Sequence, residues 1–215
     1  SYPDDLCKFY GDSLSRDNFV AFQGSEKSSK TFLLLDVAWR AMLAHRKVAF
    51  FEIGDMTQDQ IYRRFIVRAA QRPIKAKTIK KPMLVYPDDQ GGYHVEFEEK
   101  TFDTKLDFAM ARAAFDKVQH QKLKSDHSFL KLYTSPAGHT SVAMMDSALE
   151  DWAQAGYVVD ACIIDYADLV KPSLGAGEPR DKVNEIWMQL RALSQKWHCL
   201  VVTATQANRA AYSAS

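Results

Sequence analysis

Few cysteines, little glycine or proline, no long apolar run and almost no net charge mark this chain, and each shortage removes a class of protein. Its 215 residues carry three cysteines, Cys7, Cys162 and Cys199. Three cannot all pair, none stands at metal-ligand spacing, and two lie in apolar runs. That pattern suits a reducing cytosol and not a disulfide framework. Nine glycines and seven prolines are too few for a collagen-like or low-complexity chain. No apolar run approaches the ~18–20 residues that cross a bilayer. The amino end, SYPDDLCKFY, has no basic stub followed by an apolar stretch, so no secretory signal is expected. No internal repeat is visible, which sets solenoids and propellers aside. Lys and Arg number 28 against 27 Asp and Glu, a net charge of +1. A uniformly basic nucleic-acid coat is thereby disfavoured, although a local basic stripe is not. What is present is ordinary for a globular protein: 47% hydrophobic and 26% charged residues, against disorder. The expectation is a soluble cytoplasmic protein without a membrane association, built as one large α/β domain or two small ones.

Short β-like runs alternate with longer helical patterns, as in a parallel sheet covered by helices. Strands are expected at residues 18–22, 47–53, 129–134, 158–165 and 198–205. Helical spacing runs through residues 30–44, where Phe32, Leu35, Trp39, Met42 and Leu43 recur on one face, and through 59–70, 105–121, 142–155 and 181–197. The strands are almost continuously apolar (VAFF, CIID, LVV), as expected when both faces are covered. Residues 72–102 break the rhythm. They open with Arg72, Lys75, Lys77, Lys80 and Lys81, then read as two alternating runs around Pro-Asp-Asp-Gln-Gly-Gly. That is a β-hairpin pattern, and it is read as an insertion on a single domain spanning residues 1–215, too short for a core of its own. A second loop, KPSLGAGEP, follows a strand end, where functional loops tend to sit.

The sharpest motif is Gly24-Ser25-Glu26-Lys27-Ser28-Ser29-Lys30-Thr31, between the strand NFVAF and a helix. A Walker A phosphate loop requires that context. Successive backbone N–H groups and a helix N-terminus then wrap phosphates. Lys30 is placed to reach the β- and γ-phosphates and the Thr31 hydroxyl to bind Mg²⁺. The pattern G-x-x-x-x-G-K-[ST] has its second glycine replaced by Ser29. The alternative is a Ser/Lys-rich turn that caps a helix.

A second block, VVDACIID, is an apolar strand ending in Asp165, the form of a Walker B strand whose carboxylate joins the Mg²⁺ shell. Alone it means little; downstream of a phosphate loop in an α/β chain it is much more specific. Hydrolysis also needs a carboxylate that orients or deprotonates water. AFFEIGDM offers Glu52 and Asp55. Asp55 reads equally well as an N-cap for the following helix. Glu52 inside an apolar strand is harder to explain structurally, because burying an unpaired carboxylate is costly.

These blocks, with VNEIWMQLRALSQKWHCLVVTATQANR, resemble a DnaB-type RecA-like ATPase over roughly residues 18–71 and 129–209. The family strand FFSLEM, its IDYLQL block and its strand ending SQLxR are matched by residues around Met56, by Ile164-Asp165-Tyr166, and by Thr205-Gln206-Ala207-Asn208-Arg209. The resemblance implies an α/β fold: a RecA-like P-loop NTPase core with a mostly parallel central sheet, flanking helices and the hairpin insertion. It implies ATP and Mg²⁺ as cofactors, Lys30 and Thr31 in the phosphate loop, Asp165 on Mg²⁺ and Gln206 as the γ-phosphate-sensing glutamine. Alignment on Met56 places Asp55 at the catalytic glutamate, and counting without a gap places Gly54 there; the longer reach of Glu52 favours Glu52. The family's arginine finger and DNA loop lie beyond a chain of this length, so an incomplete C-terminus is expected.

The implied activity is an ATP-driven motor of the replicative helicase superfamily, homo-oligomeric, with a hexameric ring as one form, acting on single-stranded DNA. Residues 72–81 are a candidate DNA contact, or a solvated basic loop; Arg63, Arg64 and Arg68 read as surface or subunit contacts. The alternative is a nucleotide-binding switch or assembly ATPase with weak hydrolysis, which Ser29 and the altered glutamate position favour. A small-molecule kinase using the hairpin as a lid is disfavoured by the Gln206 block.

Overall fold

The computed structural model describes residues 8, 10–25, 28–54, 56–87, 92–123, 128–173 and 178–206. In chain order the elements are β1 (Phe19–Gly24), α1 (Lys30–Leu43), β2 (Val48–Glu52), α2 (Gln58–Ala70), β3 (Lys77–Pro87), β4 (Tyr93–Phe102), α3 (Phe108–Lys117), β5 (Leu130–Thr134), α4 (Val142–Gln154), β6 (Ala161–Asp165), α5 (Pro179–Trp197) and β7 (Leu200–Gln206). The chain divides into two compact units, Ser1–Ile61 with Ser125–Ser215, and Tyr62–Lys124.

The first unit contains a five-stranded sheet in the order β1-β7-β6-β2-β5, with every pair parallel. Its middle is dry: Val48, Ala49, Phe50 and Phe51 of β2 have no exposed surface. The period of two in a strand sends alternate side chains to opposite faces. Ala49, Phe51, Cys162, Ile164 and Val201 join Met145 and Leu149 of α4 and Leu190 of α5 in one cluster. Phe50, Ile163 and Val202 are left for the other face, where α1 lies across β6, β7, β2 and β1 and buries Leu34, Leu35, Val37, Ala38 and Met42. Burial on this scale dominates folding, since fully burying one Leu or Phe contributes about 1.5–3 kcal/mol.

Element ends follow local chemistry. Ser141 caps α4 by accepting from the Met144 N–H at 3.3 Å. The expected strand 158–165 enters the ladder at Ala161, and Asp160 stands at its entrance. Its carboxylate pairs with Arg16 and accepts from the Lys47 N–H at 2.8 Å, tying the strand entrances together.

In the second unit, β3 and β4 pair antiparallel from Lys77↔Phe102 to Pro87↔Tyr93, with a register shift between Pro82 and Leu84. The expected turn at residues 88–91 lies outside the described residues. Opposite charges face each other at Lys80↔Glu99 and Lys81↔Glu98, which supports the register. The outer part of the hairpin stays in solvent: Tyr93 is 68%, Val85 61% and Phe97 56% exposed. At its base, the Arg72 guanidinium donates to the Thr104 carbonyl and lies over the Phe102 ring at 5.1 Å. Arg72, the first residue of the basic run, is thus engaged within its own unit. The helix expected from residue 105 starts at Phe108, because Asp107 caps it by accepting from the Met110 N–H at 2.8 Å.

Candidate functional site

Because all five strands of the core sheet run the same way, their carboxyl ends share one edge. Gly24 pairs in register with Gln206, and Glu52 lies between Thr134 and Asp165. Ligands of open α/β sheets bind at that edge, where strand order reverses.

The phosphate-loop octet spans the step from β1 to α1. A Cβ on Gly24 would collide with Ser28 Oγ and stand 3.3 Å from Ser28 Cβ, so a larger residue there requires the Ser28 hydroxyl to turn away. Ser29 is the residue before α1 and is left-handed, at φ 63° and ψ 26°. The motif's second glycine therefore answers a backbone demand, and serine meets it at a cost of roughly 1–2 kcal/mol. The Lys30 ammonium donates to the Gly24 carbonyl at 3.1 Å and to the Ser25 carbonyl at 2.7 Å. Two of its three N–H bonds thus go to carbonyls at the end of β1 and just past it. Thr31 is the second residue of α1. Glu26 and Lys27 lie outside the described residues.

The second component is a pair of carboxylates. Glu52 ends β2 and Asp165 ends β6, at the same register position of adjacent strands. They are 2% and 3% exposed. Burial, and then the neighbouring Asp165 charge, push the Glu52 carboxyl up to about 8. The Met56 N–H donates to Glu52 Oε1 at 3.4 Å, while buried Oε2 has no hydrogen-bond partner among the described residues. Gly54 makes room for this side chain: a Cβ there would be 3.1 Å from both Glu52 Oε1 and Leu169 Cδ1. Asp55 lies outside the described residues.

The third component is the end of β7. Gln206 is exposed, and its backbone N–H donates to Asp168 Oδ2 at 2.7 Å. The Thr205 hydroxyl donates to Asp168 Oδ1 at 2.9 Å. Sequence reasoning passed over Asp168, whose only signal was its place three residues after Asp165. Ala207, Asn208 and Arg209 lie outside the described residues.

Gly24, Ser25, Ser28, Ser29, Lys30 and Thr31 are thus on one loop and helix start, with Glu52, Asp165 and Gln206 on neighbouring strand ends of the same edge. Chemically, this edge offers a cationic loop for an anion, beside hard oxygen donors.

Compared with known proteins, the chain matches the family described as DnaB-like helicase C terminal domain over residues 12–214. Among solved structures it is similar to one described as an ATPase domain, with a TM-score of 0.65 at 15% identity, covering 93% of this chain and 60% of that one. It is also similar to a DnaB-like replicative helicase described with its interactions with primase, with a TM-score of 0.67 at 16% identity, covering 95% of this chain and 43% of that one. The chain therefore spans less than two thirds of the length of either. At such identities the likeness concerns the fold, which is RecA-like: a parallel sheet flanked by helices, with an antiparallel hairpin besides. No curated protein matches the chain by sequence.

Proposed function

This chain belongs to the family of DnaB-like helicase C-terminal domains, and from that premise we propose that it binds and hydrolyses ATP with Mg²⁺, as a homo-oligomeric motor acting on single-stranded DNA. A hexameric ring is the assembly this reading favours. What carries it is the convergence at one sheet edge of Lys30, Thr31, the Glu52–Asp165 pair and Gln206.

The roles follow from reach and chemistry. Residues 24–31 cradle the phosphates with backbone N–H groups and the start of α1. Lys30 exchanges its loop carbonyls for the β- and γ-phosphates. Thr31 and Asp165 hold Mg²⁺, and hard oxygen donors suit that ion; buried Glu52 Oε2, without a hydrogen-bond partner among the described residues, fits the same shell or a water beside it. When bound, the ion supplies charge neutralisation at the phosphates. Glu52 orients or deprotonates the attacking water, with Asp55 the competing assignment. Gln206, beside Gly24 in the sheet register, reads the γ-phosphate.

Phosphate release with and without single-stranded DNA tests the motor. DNA-stimulated, Mg²⁺-dependent turnover is expected, and Asp165→Asn should weaken it much more than Mg²⁺-free nucleotide binding. A second reading, a nucleotide switch with weak hydrolysis, draws on two observations. Ser29 occupies a strained left-handed backbone, and burial beside Asp165 pushes the Glu52 carboxyl up to about 8, away from the ionised form that a base needs. Tight ATP binding with negligible turnover, DNA present, selects the switch and sinks the motor.

A further inference from the structure

The β6–β7 ladder stops at Ile164↔Thr203, yet β7 runs on to Gln206. On its other side β7 continues against β1 through Gly24↔Gln206. Past Asp165 the chain leaves the sheet and turns through the short 3₁₀ segment Ala167–Leu169, so β6 offers no further carbonyls there. A backbone N–H left without an acceptor would weaken the strand end. Asp168 replaces the missing strand. Its two oxygens take the Gln206 N–H at 2.7 Å and the Thr205 hydroxyl at 2.9 Å. Hydrogen bonds to a carboxylate are shorter and about twice as strong as neutral ones. The same turn is fixed elsewhere: the Gly138 N–H donates to the Leu169 carbonyl at 2.9 Å, and Leu169 Cδ1 lies 3.1 Å from the Cβ position of Gly54, itself 3.1 Å from Glu52 Oε1.

We infer that Asp168 is a positioning residue: it clamps the last two residues of β7 to the turn after Asp165, and so holds Gln206 at a fixed place beside the phosphate loop. The inference rests on the nucleotide reading of this edge. Asp168 touches no nucleotide in this scheme; it acts through the main chain of Gln206. The link also bears on Glu52, because Leu169 of the same turn stands beside the glycine that accommodates that side chain.

Hydrogen exchange and steady-state ATP turnover of the full chain test this together. Asp168→Ala should speed exchange of the Gln206 amide. It should also lower kcat roughly tenfold with KM within about threefold, less than the 10²–10³ lost with a donor that touches developing charge. In a Gln206→Ala background the same change should add nothing further, since residues acting as a unit are non-additive. Asp168→Asn, whose single oxygen can still accept from the Gln206 N–H, should restore part of both signals. An unchanged Gln206 amide overturns the inference. So does a kcat loss that adds fully to that of Gln206→Ala, or one confined to KM. If Lys30→Ala and Gln206→Ala both leave turnover untouched, the nucleotide reading fails first, visibly, and removes the activity that Asp168 would serve.

Discussion

The two units of this chain are opposite in charge and in kind. The unit Tyr62–Lys124 carries 14 Lys and Arg against eight Asp and Glu, while the remainder carries 14 against 19. One is +6, the other −5, and their sum is the near-neutral +1 of the whole. Among the described residues, the buried apolar side chains belong almost wholly to the sheet unit, Phe65 and Pro73 being the exceptions. Every described site residue is in the sheet unit as well, while the other exposes Tyr93, Val85 and Phe97. A whole-chain charge is therefore a poor guide to partners where two units cancel. The proposed site lies where the side chains are buried, and the surplus positive charge where there is little core.

Four perturbations bear on this division of labour, in descending size. Lys30→Ala should take nucleotide turnover to background while far-UV circular dichroism stays unchanged, since Lys30 faces the loop carbonyls and not the core. Wild-type turnover in that variant would break the assignment of the chemistry to the sheet unit.

Glu52→Gln should slow hydrolysis by about 10²–10⁴, the usual share of a general base, while sparing nucleotide binding. It should also change stability with a defined sign. The Glu52 carboxyl is raised from 4.5 to about 8, so the native state keeps a proton that the unfolded state has lost. Native stability then falls as pH rises from about 4.5 to about 8. Glutamine has no proton to lose, so the variant should unfold at higher temperature near pH 8 and show a flatter pH profile. If Asp55→Asn gives the large kinetic loss and Glu52→Gln does not, the base is Asp55.

Ser29→Gly comes third. Relief of a left-handed serine is worth roughly 1–2 kcal/mol, offset by about 0.5–1 kcal/mol of glycine's unfolded-state entropy. Denaturant unfolding should show a gain of up to about 1.5 kcal/mol, and nucleotide should bind slightly more tightly. A loss would mean that Ser29 contributes a contact of its own. Smallest of all, residues 78–101 replaced by a two-residue turn should leave basal turnover within about twofold, because Lys77 and Phe102 already face each other in register. A collapse of basal turnover would show that the hairpin belongs to the catalytic machinery, and the contrast between the units would fail.

Much of this was readable beforehand, for identifiable reasons. Apolar runs such as VAFF and CIID mark strands buried on both faces, and the structure has them at Val48–Glu52 and Ala161–Asp165. The octet was legible as a turn between a strand and a helix because its geometry is local, and it joins β1 to α1. The position of Glu52 was odd in sequence, and the register explains the oddity by setting it against Asp165. Asp168 was not legible. Its partners are 37 and 38 residues away, and their meeting depends on where β6 leaves the sheet, which no periodicity encodes. Gly54 looked like a displaced catalytic position; its lack of a side chain instead leaves space for a carboxylate. The charge segregation was half legible: the run of basic residues from Arg63 to Lys81 stood out in the sequence, but the boundary at Tyr62 falls inside α2, with no linker to announce it.

Strand order also sets a timetable for biosynthesis. In the sheet, β1 has a single neighbour, β7, with Phe19 opposite Val201 and Gly24 opposite Gln206. Strand β1 therefore waits for β7 before it can join the ladder, the kind of non-local pairing that slows folding. On a ribosome β2, β5 and β6 can assemble early, while β1 and the phosphate loop behind it stay unseated until residues past Leu200 have emerged. Until then β1 is an open edge, the sort of surface that recruits other chains. Stalled nascent chains ending at Cys199 should fail to retain nucleotide and should aggregate more readily than chains extended through Gln206. Equal nucleotide capture by both would show that the loop closes without its last strand.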